Sequence, residues 1–301
     1  MTQQATARPN FLSPNVVGVL WMVLAVSALT GMFAVAKHLM QSLPVFEVGL
    51  FRFLMSLLFY LPWLFSNGIG ALKTGRQGAH FVRGFFGATS LLAGIYAVHN
   101  MLLADATVLT FTIPLWSILF AALFLGERIR LRRSLATAAG FAGVIIMVQP
   151  QTGIEPAAMV ALFAAILATG AITTMKSLTR TEPTGRIVFY FLLYGTLITG
   201  APAMYLFQMP STTEWAWLFL LGVLGSSGQY FLTRAYAAGE MTVIAPFDFT
   251  RIIIAVILGY FIFNEAPDIW GLIGAAIIMC SCAYIVRREA MLRMDKSPKS
   301  E

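Results

Sequence analysis

Charged residues are scarce in this sequence. Only 11% of its 301 residues are Asp, Glu, Lys or Arg and 58% are apolar, whereas charged residues make up about 25% of an average soluble protein. This balance excludes a soluble enzyme. The mean hydropathy is +0.79, and the apolar runs of about 20 residues are long enough to cross a hydrocarbon core of about 30 Å. The composition therefore predicts an all-α polytopic membrane protein.

Cysteine is almost absent. The only two, Cys280 and Cys282, are too close together to staple separate segments and too few to hold a metal ion. We interpret both as small residues that pack between helices. The sequence gives no reason to expect a metal or another cofactor.

Acidic residues are outnumbered by basic ones, and the net charge is +7. In a soluble protein this excess would suggest a nucleic-acid partner, but a membrane protein keeps Lys and Arg in its cytoplasmic loops. Seventeen of the 20 basic residues fall on one side of the membrane if the N-terminus is cytoplasmic. We therefore expect both termini in the cytoplasm, and as partners the lipid bilayer and a small molecule rather than nucleic acid.

Ten apolar runs follow one another with short connections. The first lacks the cleavage pattern of a secretory signal peptide and is expected to be retained as a helix. The predicted helices lie at residues 16–36, 45–66, 80–98, 103–125, 134–149, 157–178, 186–207, 215–236, 241–263 and 269–287.

The two halves of the chain are related by an internal repeat. An offset of 139 residues aligns Gly31, Lys37, Leu39 and Pro44 with Gly170, Lys176, Leu178 and Pro183. An offset of 138 aligns Gly84, Gly87, Ala97, Glu127 and Val148 with Gly222, Gly225, Ala235, Glu265 and Val286. The predicted divisions are an N-terminal segment at 1–15, repeat 1 at 16–149, repeat 2 at 157–287 and a basic tail at 288–301.

Each repeat holds five helices, so the second must enter the membrane from the opposite side. Inverted repeats of this kind are common in secondary transporters, because two related halves that rock about a central site give alternating access. A duplicated membrane scaffold without transport is the alternative.

Short motifs near the helix ends carry a family resemblance. The segments Leu102-Leu-Ala-Asp-Ala-Thr107, Pro114-Leu115 and Phe124-Leu-Gly-Glu127 resemble the EamA-type half of the drug/metabolite transporter superfamily. The second half is similar to a divergent copy that keeps Pro246 and Phe263-Asn-Glu265. The resemblance implies a ten-helix bundle around a central cavity that carries small organic metabolites through an inner membrane. Arg83-Gly-Phe-Phe-Gly-Ala-Thr89 is most similar to the branch with S-adenosylmethionine and riboflavin transporters.

Ionisable side chains inside predicted spanning helices are the first candidates for a site, since each costs about 2.5–3.5 kcal/mol at mid-helix unless it has a partner or a water-filled cavity. Asp248 and Arg251 are three residues apart and share a helix face. Asp248 could bind a substrate ammonium group or a coupling proton, and Arg251 a carboxylate or phosphate. Mutual neutralisation is the structural alternative.

The second predicted helix contains Glu47 and Arg52. Arg52 lies roughly 12 Å along the helix from Pro44, deep enough to face a central cavity and bind an anionic substrate group. Glu47 lies nearer the outer surface, where we expect a pair with Lys37, and is a second candidate for proton coupling.

Four further residues are candidate substrate contacts. Gln229 and Tyr230 follow a patch of small residues on the eighth helix, and Phe247 and Trp116 offer rings for stacking on a planar substrate. Lipid contact is the alternative for the aromatic rings, and helix packing is the expected role of the glycines. Glu127 and Glu265 lie at helix ends and are expected in structural salt bridges.

These features predict a gradient-driven transporter of a small metabolite, working by alternating access. Export of amino acids or drug-like compounds is the alternative to import of S-adenosylmethionine or riboflavin. A membrane-embedded enzyme is disfavoured because the sequence has neither a His-Glu-x-x-His nor a Gly-x-Ser-x-Gly motif. A passive channel is compatible with the same duplication. The oligomeric state is left open.

Overall fold

The computed structural model describes residues 14–125, 131–148, 155–178, 181–238 and 245–294. All regular structure in these ranges is helical. The α-helices are α1 (Pro14–Leu39), α2 (Val45–Asn67), α3 (Gln77–Asn100), α4 (Leu103–Thr110), α5 (Ile113–Leu125), α6 (Leu131–Val148), α7 (Pro156–Leu178), α8 (Thr184–Tyr205), α9 (Thr212–Ala238), α10 (Thr250–Phe263) and α11 (Ile269–Met294). Two 3₁₀ helices span Ile69–Leu72 and Ala245–Phe249.

The helices match the predicted apolar runs, with two exceptions. Within the described residues, five helices are long and apolar enough to cross a membrane, at Val16–Leu39, Val45–Asn67, Gln77–Asn100, Pro156–Met175 and Thr184–Tyr205. The fourth predicted helix is divided into α4 and α5. The described part of the ninth, residues 245–263, is a 3₁₀ turn followed by α10. The all-helical polytopic fold is confirmed.

Two equivalent prolines start equivalent helices. Pro44 and Pro183, which the repeat aligns, occupy the N-cap positions of α2 and α8 with ψ values of 149° and 144°. Proline fixes φ near −65° and has no N–H to leave unpaired, so it suits the start of a helix. At the other end of a helix, Asn264 ends α10 in the left-handed region at φ 54°, which asparagine tolerates better than most residues.

The helix packing follows a pseudo-two-fold pattern. The repeat relates α1 to α7, α2 to α8, α3 to α9 and α6 to α11. The two most extensive interfaces, α1 with α9 and α3 with α7, are symmetry equivalents of each other. The interface of α6 with α11 and that of α2 with α8 each join two helices that the pseudo-two-fold relation exchanges. The two repeats therefore interlock around one central axis.

Glycines that the repeat relates to each other pack against side chains that the repeat also relates. A Cβ on Gly225 would lie 3.1 Å from Arg52 Cζ, and a Cβ on Gly87 would lie 2.6 Å from Phe191 Cε2; Arg52 and Phe191 are themselves related by the repeat. The same relation holds for the pairs Gly222–Met55 and Gly84–Tyr194, and for Gly31–Leu224 and Gly170–Phe86. Small residues let the helix backbones approach closely, as expected for these glycines.

The side of the bundle predicted to be cytoplasmic is tied together by polar contacts between the α2–α3 and α7–α8 connections. Arg76 Nη1 donates to Ser177 O (2.8 Å), and Arg186 Nε donates to Ala71 O (2.6 Å). Desolvation acts to raise the pKa of Glu182, but hydrogen bonds from Thr74 Oγ1 (2.6 Å) and Arg186 Nη1 (2.5 Å) outweigh it and lower that pKa. These contacts hold the two repeats together at this face.

Two glycines of α8 provide a matched test of this packing. A Cβ on Gly195 would lie 2.3 Å from the fully buried ring of Phe53, whereas a Cβ on Gly200 would lie 3.6 Å from Leu50. Overpacking costs about 1–3 kcal/mol, and Ala gains about 1 kcal/mol over Gly in a helix. We expect Gly195→Ala to lower the melting temperature of the detergent-purified protein by several degrees and Gly200→Ala to leave it unchanged or higher. Equal effects of the two substitutions would contradict this packing.

Candidate substrate site at two helix breaks

The break between α4 and α5 lies at Phe111 and Thr112. The backbone N–H groups of these residues donate to the carbonyls three positions earlier, Val108 O (2.9 Å) and Leu109 O (3.2 Å). Pro114, just beyond, has no N–H and disfavours a helical turn in front of it. Because the helix ladder is interrupted, the Phe111 carbonyl is available to Cys282 Sγ, which donates to it at 3.0 Å.

The second break is the 3₁₀ helix Ala245–Phe249 itself, which runs directly into α10. Phe249 is the repeat equivalent of Phe111, and the two rings stack with centroids 4.9 Å apart and an interplanar angle of 21°. The two breaks therefore meet on the pseudo-two-fold axis. Paired interruptions at corresponding positions of two repeats point to a binding site in transporters, because irregular backbone at membrane depth occurs where it is buried in protein or lines a cavity.

Asp248 and Arg251 form an ion pair at the second break. Arg251 Nη2 donates to Asp248 Oδ1 at 2.8 Å, and both side chains are partly buried. The contact predicted from their spacing is confirmed. Arg251 Nε is buried and has no hydrogen-bond partner among the residues that the structure describes, so the guanidinium retains a donor that a ligand could use.

A small cavity adjoins this pair. Its volume is about 30 Å³, and the polar residues in its lining are Thr30, Thr107, Thr110 and Arg251. The apolar lining comes from Phe33, Gly94, Ala97, Val98, Ala106, Ala161 and Ala164. Small-molecule sites usually enclose about 300–1,000 Å³, so this cavity is too small to hold a molecule of that size.

Arg52 lies apart from the helix breaks, between α2 and α9. It is 2% exposed and donates to Ser56 Oγ (3.3 Å) and Gly225 O (3.5 Å). Its guanidinium also lies over the ring of Phe53, 5.0 Å from the centroid. Among the described residues no carboxylate pairs with it, and its Nε has no partner. Within the same residues, Arg52 shares no contact with the Asp248–Arg251 pair.

The expected pair between Lys37 and Glu47 was wrong, because the structure gives each residue a different partner. Lys37 Nζ forms an ion pair with Glu265 and donates to Met101 O at 2.7 Å. Glu47 Oε2 accepts a hydrogen bond from the backbone N–H of Gln208 at 3.0 Å, and within the described ranges its Oε1 has no hydrogen-bond partner. The expected interhelical salt bridge at Glu265 is confirmed.

The four remaining candidate contacts are scattered. Trp116 Nε1 donates to Thr112 Oγ1 at 3.1 Å, which places this ring at the first break. Phe247 lies in the second break and is 38% exposed. Tyr230 is 48% exposed and packs edge-on against Trp21. Gln229 lies on α9 next to Tyr230. Trp116 and Phe247 are the two that the structure brings to the breaks.

Comparison with protein families identifies the chain. The model of the EamA-like transporter family matches it twice, at residues 16–149 and 155–287. The protein belongs to the EamA-like transporter family. It is therefore a membrane transporter and not an enzyme.

Curated relatives of this EamA-family protein share about a third of its residues over most of their length. An S-adenosylmethionine uptake transporter of Rickettsia felis is 32% identical, covering 95% of this chain and 98% of the relative. A riboflavin transporter of Rhizobium johnstonii is 34% identical, covering 95% of each. A pseudopaline exporter of Pseudomonas aeruginosa is 34% identical, covering 90% of this chain and 96% of the relative.

The fold also matches a known structure. One crystal structure superposes on the EamA-family protein with a TM-score of 0.60 at 17% identity, covering 92% of this chain and 98% of the other. At this level of identity the likeness concerns the fold alone.

Sequence reasoning missed three threonines and one arginine. Thr30, Thr107 and Thr110 line the cavity at the breaks; the spacing of Thr107 and Thr110 by three residues in an apolar segment is the signal that could have found two of them. Arg83 was counted among the basic residues of a cytoplasmic helix end, but it is buried with its guanidinium 4.3 Å from the Phe191 ring centroid.

Some predictions cannot be compared with the structure. Glu127, for which a structural salt bridge was predicted, lies outside the described residues, as does the side chain of Lys176, the repeat equivalent of Lys37. In the part of the chain that is described, no group of three or more His, Cys, Asp and Glu side chains is arranged to hold a metal ion.

Proposed function

We propose that this EamA-family protein is a gradient-driven transporter that carries a small zwitterionic metabolite by alternating access between its two five-helix repeats. The observation that carries the proposal is the Asp248–Arg251 ion pair at the second break, where the two breaks meet on the axis. A carboxylate and a guanidinium side by side match the ammonium and the carboxylate of an amino acid. Substrate would replace this internal pair with two external ones.

The small cavity beside the ion pair supports a site that opens when the two repeats move apart. At about 30 Å³ it has room for a water molecule but not for a metabolite, so binding requires the two repeats to separate. The three threonine hydroxyls and the spare Arg251 Nε–H would then become available to the cargo. The sequence has no Gly-rich phosphate-binding motif with Lys and Ser or Thr, and we propose an ion or substrate gradient as the source of energy.

The proposed location is the inner membrane, with both termini in the cytoplasm. The distribution of basic residues supports this orientation, because Lys and Arg in short loops determine topology. Arg76 and Arg186 lie together on the face that this orientation assigns to the cytoplasm.

The names of the three relatives suggest different cargoes for this protein. The ion pair favours those cargoes that carry an amino-acid group. S-adenosylmethionine carries an amino-acid group, whereas riboflavin has none. A zwitterion site therefore favours cargo with an amino-acid end, whether it is imported, as by the uptake transporter, or exported, as by the pseudopaline exporter. Export of free amino acids or drug-like compounds is the alternative within the same proposal.

A binding panel on purified protein tests the site. A ligand that binds only the folded state raises the melting temperature, and saturation at 100 times Kd adds about 2.7 kcal/mol of stability, which corresponds to a rise of roughly 5 °C. We expect such a rise with S-adenosylmethionine or amino acids, no rise with riboflavin, and a smaller rise in Asp248→Asn, whose amide oxygen can still accept a hydrogen bond from the ammonium group but lacks the negative charge.

Glu214→Gln is the matched control, since this carboxylate accepts hydrogen bonds from Ser42 Oγ and from Ser211 N (2.6 Å) instead of holding Arg251. It should keep the full response. A riboflavin response that survives in Asp248→Asn would refute the zwitterion site.

A further inference from the structure

A large open vestibule lies at the face of the bundle opposite the proposed cytoplasmic side. Its volume is about 670 Å³, more than twenty times that of the cavity at the breaks. It is formed by the ends of α1, α3 and α6, the starts of α4 and α7, and the connection between α10 and α11. Its ionisable lining consists of Lys37, His99, Asp105, Glu155, Glu265 and Asp268.

The vestibule and the cavity at the breaks are lined by nearby residues of the same three helices. On α1 the vestibule is lined by Lys37 and the cavity by Phe33, a distance of about 6 Å along the helix. On α4 the vestibule is lined by Asp105 and the cavity by the adjacent Ala106. On α3 the two residues are His99 and the adjacent Val98. The inner end of the vestibule therefore adjoins the outer end of the cavity.

Lys37 and Glu265 form an ion pair in the lining of the vestibule. Lys37 belongs to repeat 1 and Glu265 to repeat 2, and their ion pair is largely buried, with side chains 10% and 13% exposed. Lys37 also binds Met101 O (2.7 Å) and lies 5.3 Å from the Phe263 ring centroid. Glu265 Oε2 accepts the N–H of Leu103, the first residue of α4, at 2.8 Å. One ion pair therefore ties α1, α4 and the end of α10 together.

We propose that the Lys37–Glu265 pair is the outer gate of the transporter: it closes the path from the vestibule to the helix breaks and must separate when the outer side opens. This rests on the proposed function, because it assumes that cargo reaches the breaks. The ion pair joins a residue of repeat 1 to a residue of repeat 2, so relative motion of the two repeats would change the distance between its partners. Removing one partner leaves a charge without compensation in a buried site, and an open gate relieves this by admitting water.

Thiol labelling tests the gate without any cargo. Cys280 and Cys282 are first replaced by Ser, and Thr110→Cys then places one thiol in the closed cavity. In right-side-out vesicles a membrane-impermeant maleimide should react slowly with this thiol. Lys37→Met or Glu265→Gln should accelerate the reaction about tenfold or more, since the Gln side-chain oxygen can still accept from Leu103 N and only the charge is lost.

Two controls make the test specific. Glu214→Gln removes a carboxylate from the same face without touching Lys37 and should not accelerate labelling. Ser56→Cys places a thiol between α2 and α9, where Ser56 Oγ donates to Gly222 O at 3.2 Å, and it should stay unreactive in every variant. Unchanged labelling in both gate variants, or equal acceleration at Thr110→Cys and Ser56→Cys, would overturn the gate.

Labelling from each side of the membrane distinguishes the proposed gate from the proposed orientation, and the binding panel distinguishes it from the proposed cargo. Acceleration only in inside-out vesicles would support the gate and overturn the orientation proposed above. If labelling is accelerated from outside but the binding panel gives no response, the gate is supported and the proposed zwitterionic cargo is refuted.

Discussion

Arg52→Gln should reduce transport by about 100-fold or more while leaving folded protein in the membrane at its normal level. Arg52 is buried between α2 and α9, and among the described residues only a hydroxyl, a backbone carbonyl and a ring contact its guanidinium. A cation in the membrane interior is expensive, and no carboxylate of the described chain offsets it. We infer that an anionic group of the cargo binds it when α2 and α9 separate. The test is counterflow in proteoliposomes of a labelled compound that binds in the panel.

Two further substitutions distinguish binding from packing at this position. Arg52→Met keeps most of the side-chain volume against Gly225 and removes the charge, so it should also lose transport but equal or exceed the parent protein in thermal stability. Arg52→Lys keeps the charge without the forked donors and should retain a small part of the activity. The expected loss corresponds to the 2–5 kcal/mol or more typical of a broken buried charge pair. Normal transport in Arg52→Met would remove Arg52 from the cargo path.

Features that depend on neighbouring residues in the chain were predictable from the sequence. The helix starts at Pro44 and Pro183 follow from the fixed φ of proline. The Asp248–Arg251 contact follows from a spacing of three residues on a helical turn. The repeat offsets also predicted which glycines would be equivalent, because the same packing problem recurs in each half.

Features that depend on distant parts of the chain were not predictable in the same way. The sequence places Glu47 within reach of Lys37, but only the assembled bundle shows that the end of α10 brings Glu265 closer. Likewise, Arg83 lies six residues into α3, and its burial depends on Phe191 of α8, which packs over it. A basic residue near a helix end can face water or a neighbouring ring, and tertiary packing decides which.

The helix breaks are an intermediate case. Pro114 was visible in the apolar run at 103–125, but a proline can begin a helix as readily as it can interrupt one. The stacking of Phe111 on Phe249 brings both interruptions to the axis. This contact between the repeats, which the sequence does not reveal, makes the segment before Pro114 part of a candidate site.

Asp248→Asn should retain exchange of bound cargo across the membrane but lose accumulation driven by a pH gradient, by about tenfold or more. Asp248 accepts a hydrogen bond from Arg251 Nη2 at 2.8 Å. A proton and the ammonium group of the cargo would compete for this carboxylate, which couples release of the proton to binding of the cargo. Asn keeps the size of the side chain and an acceptor oxygen but cannot carry the proton.

Glu47→Gln separates the two candidates for coupling, since Glu47 is the other carboxylate to which a coupling role was assigned. Its Oε2 accepts from Gln208 N at 3.0 Å, a contact that the Gln amide oxygen can keep, so the fold should tolerate the change. If Asp248 carries the proton, Glu47→Gln should accumulate cargo normally under a pH gradient in the same proteoliposomes. The reverse pattern, with accumulation lost only in Glu47→Gln, would transfer the coupling role to α2 and leave the Asp248–Arg251 pair with binding alone.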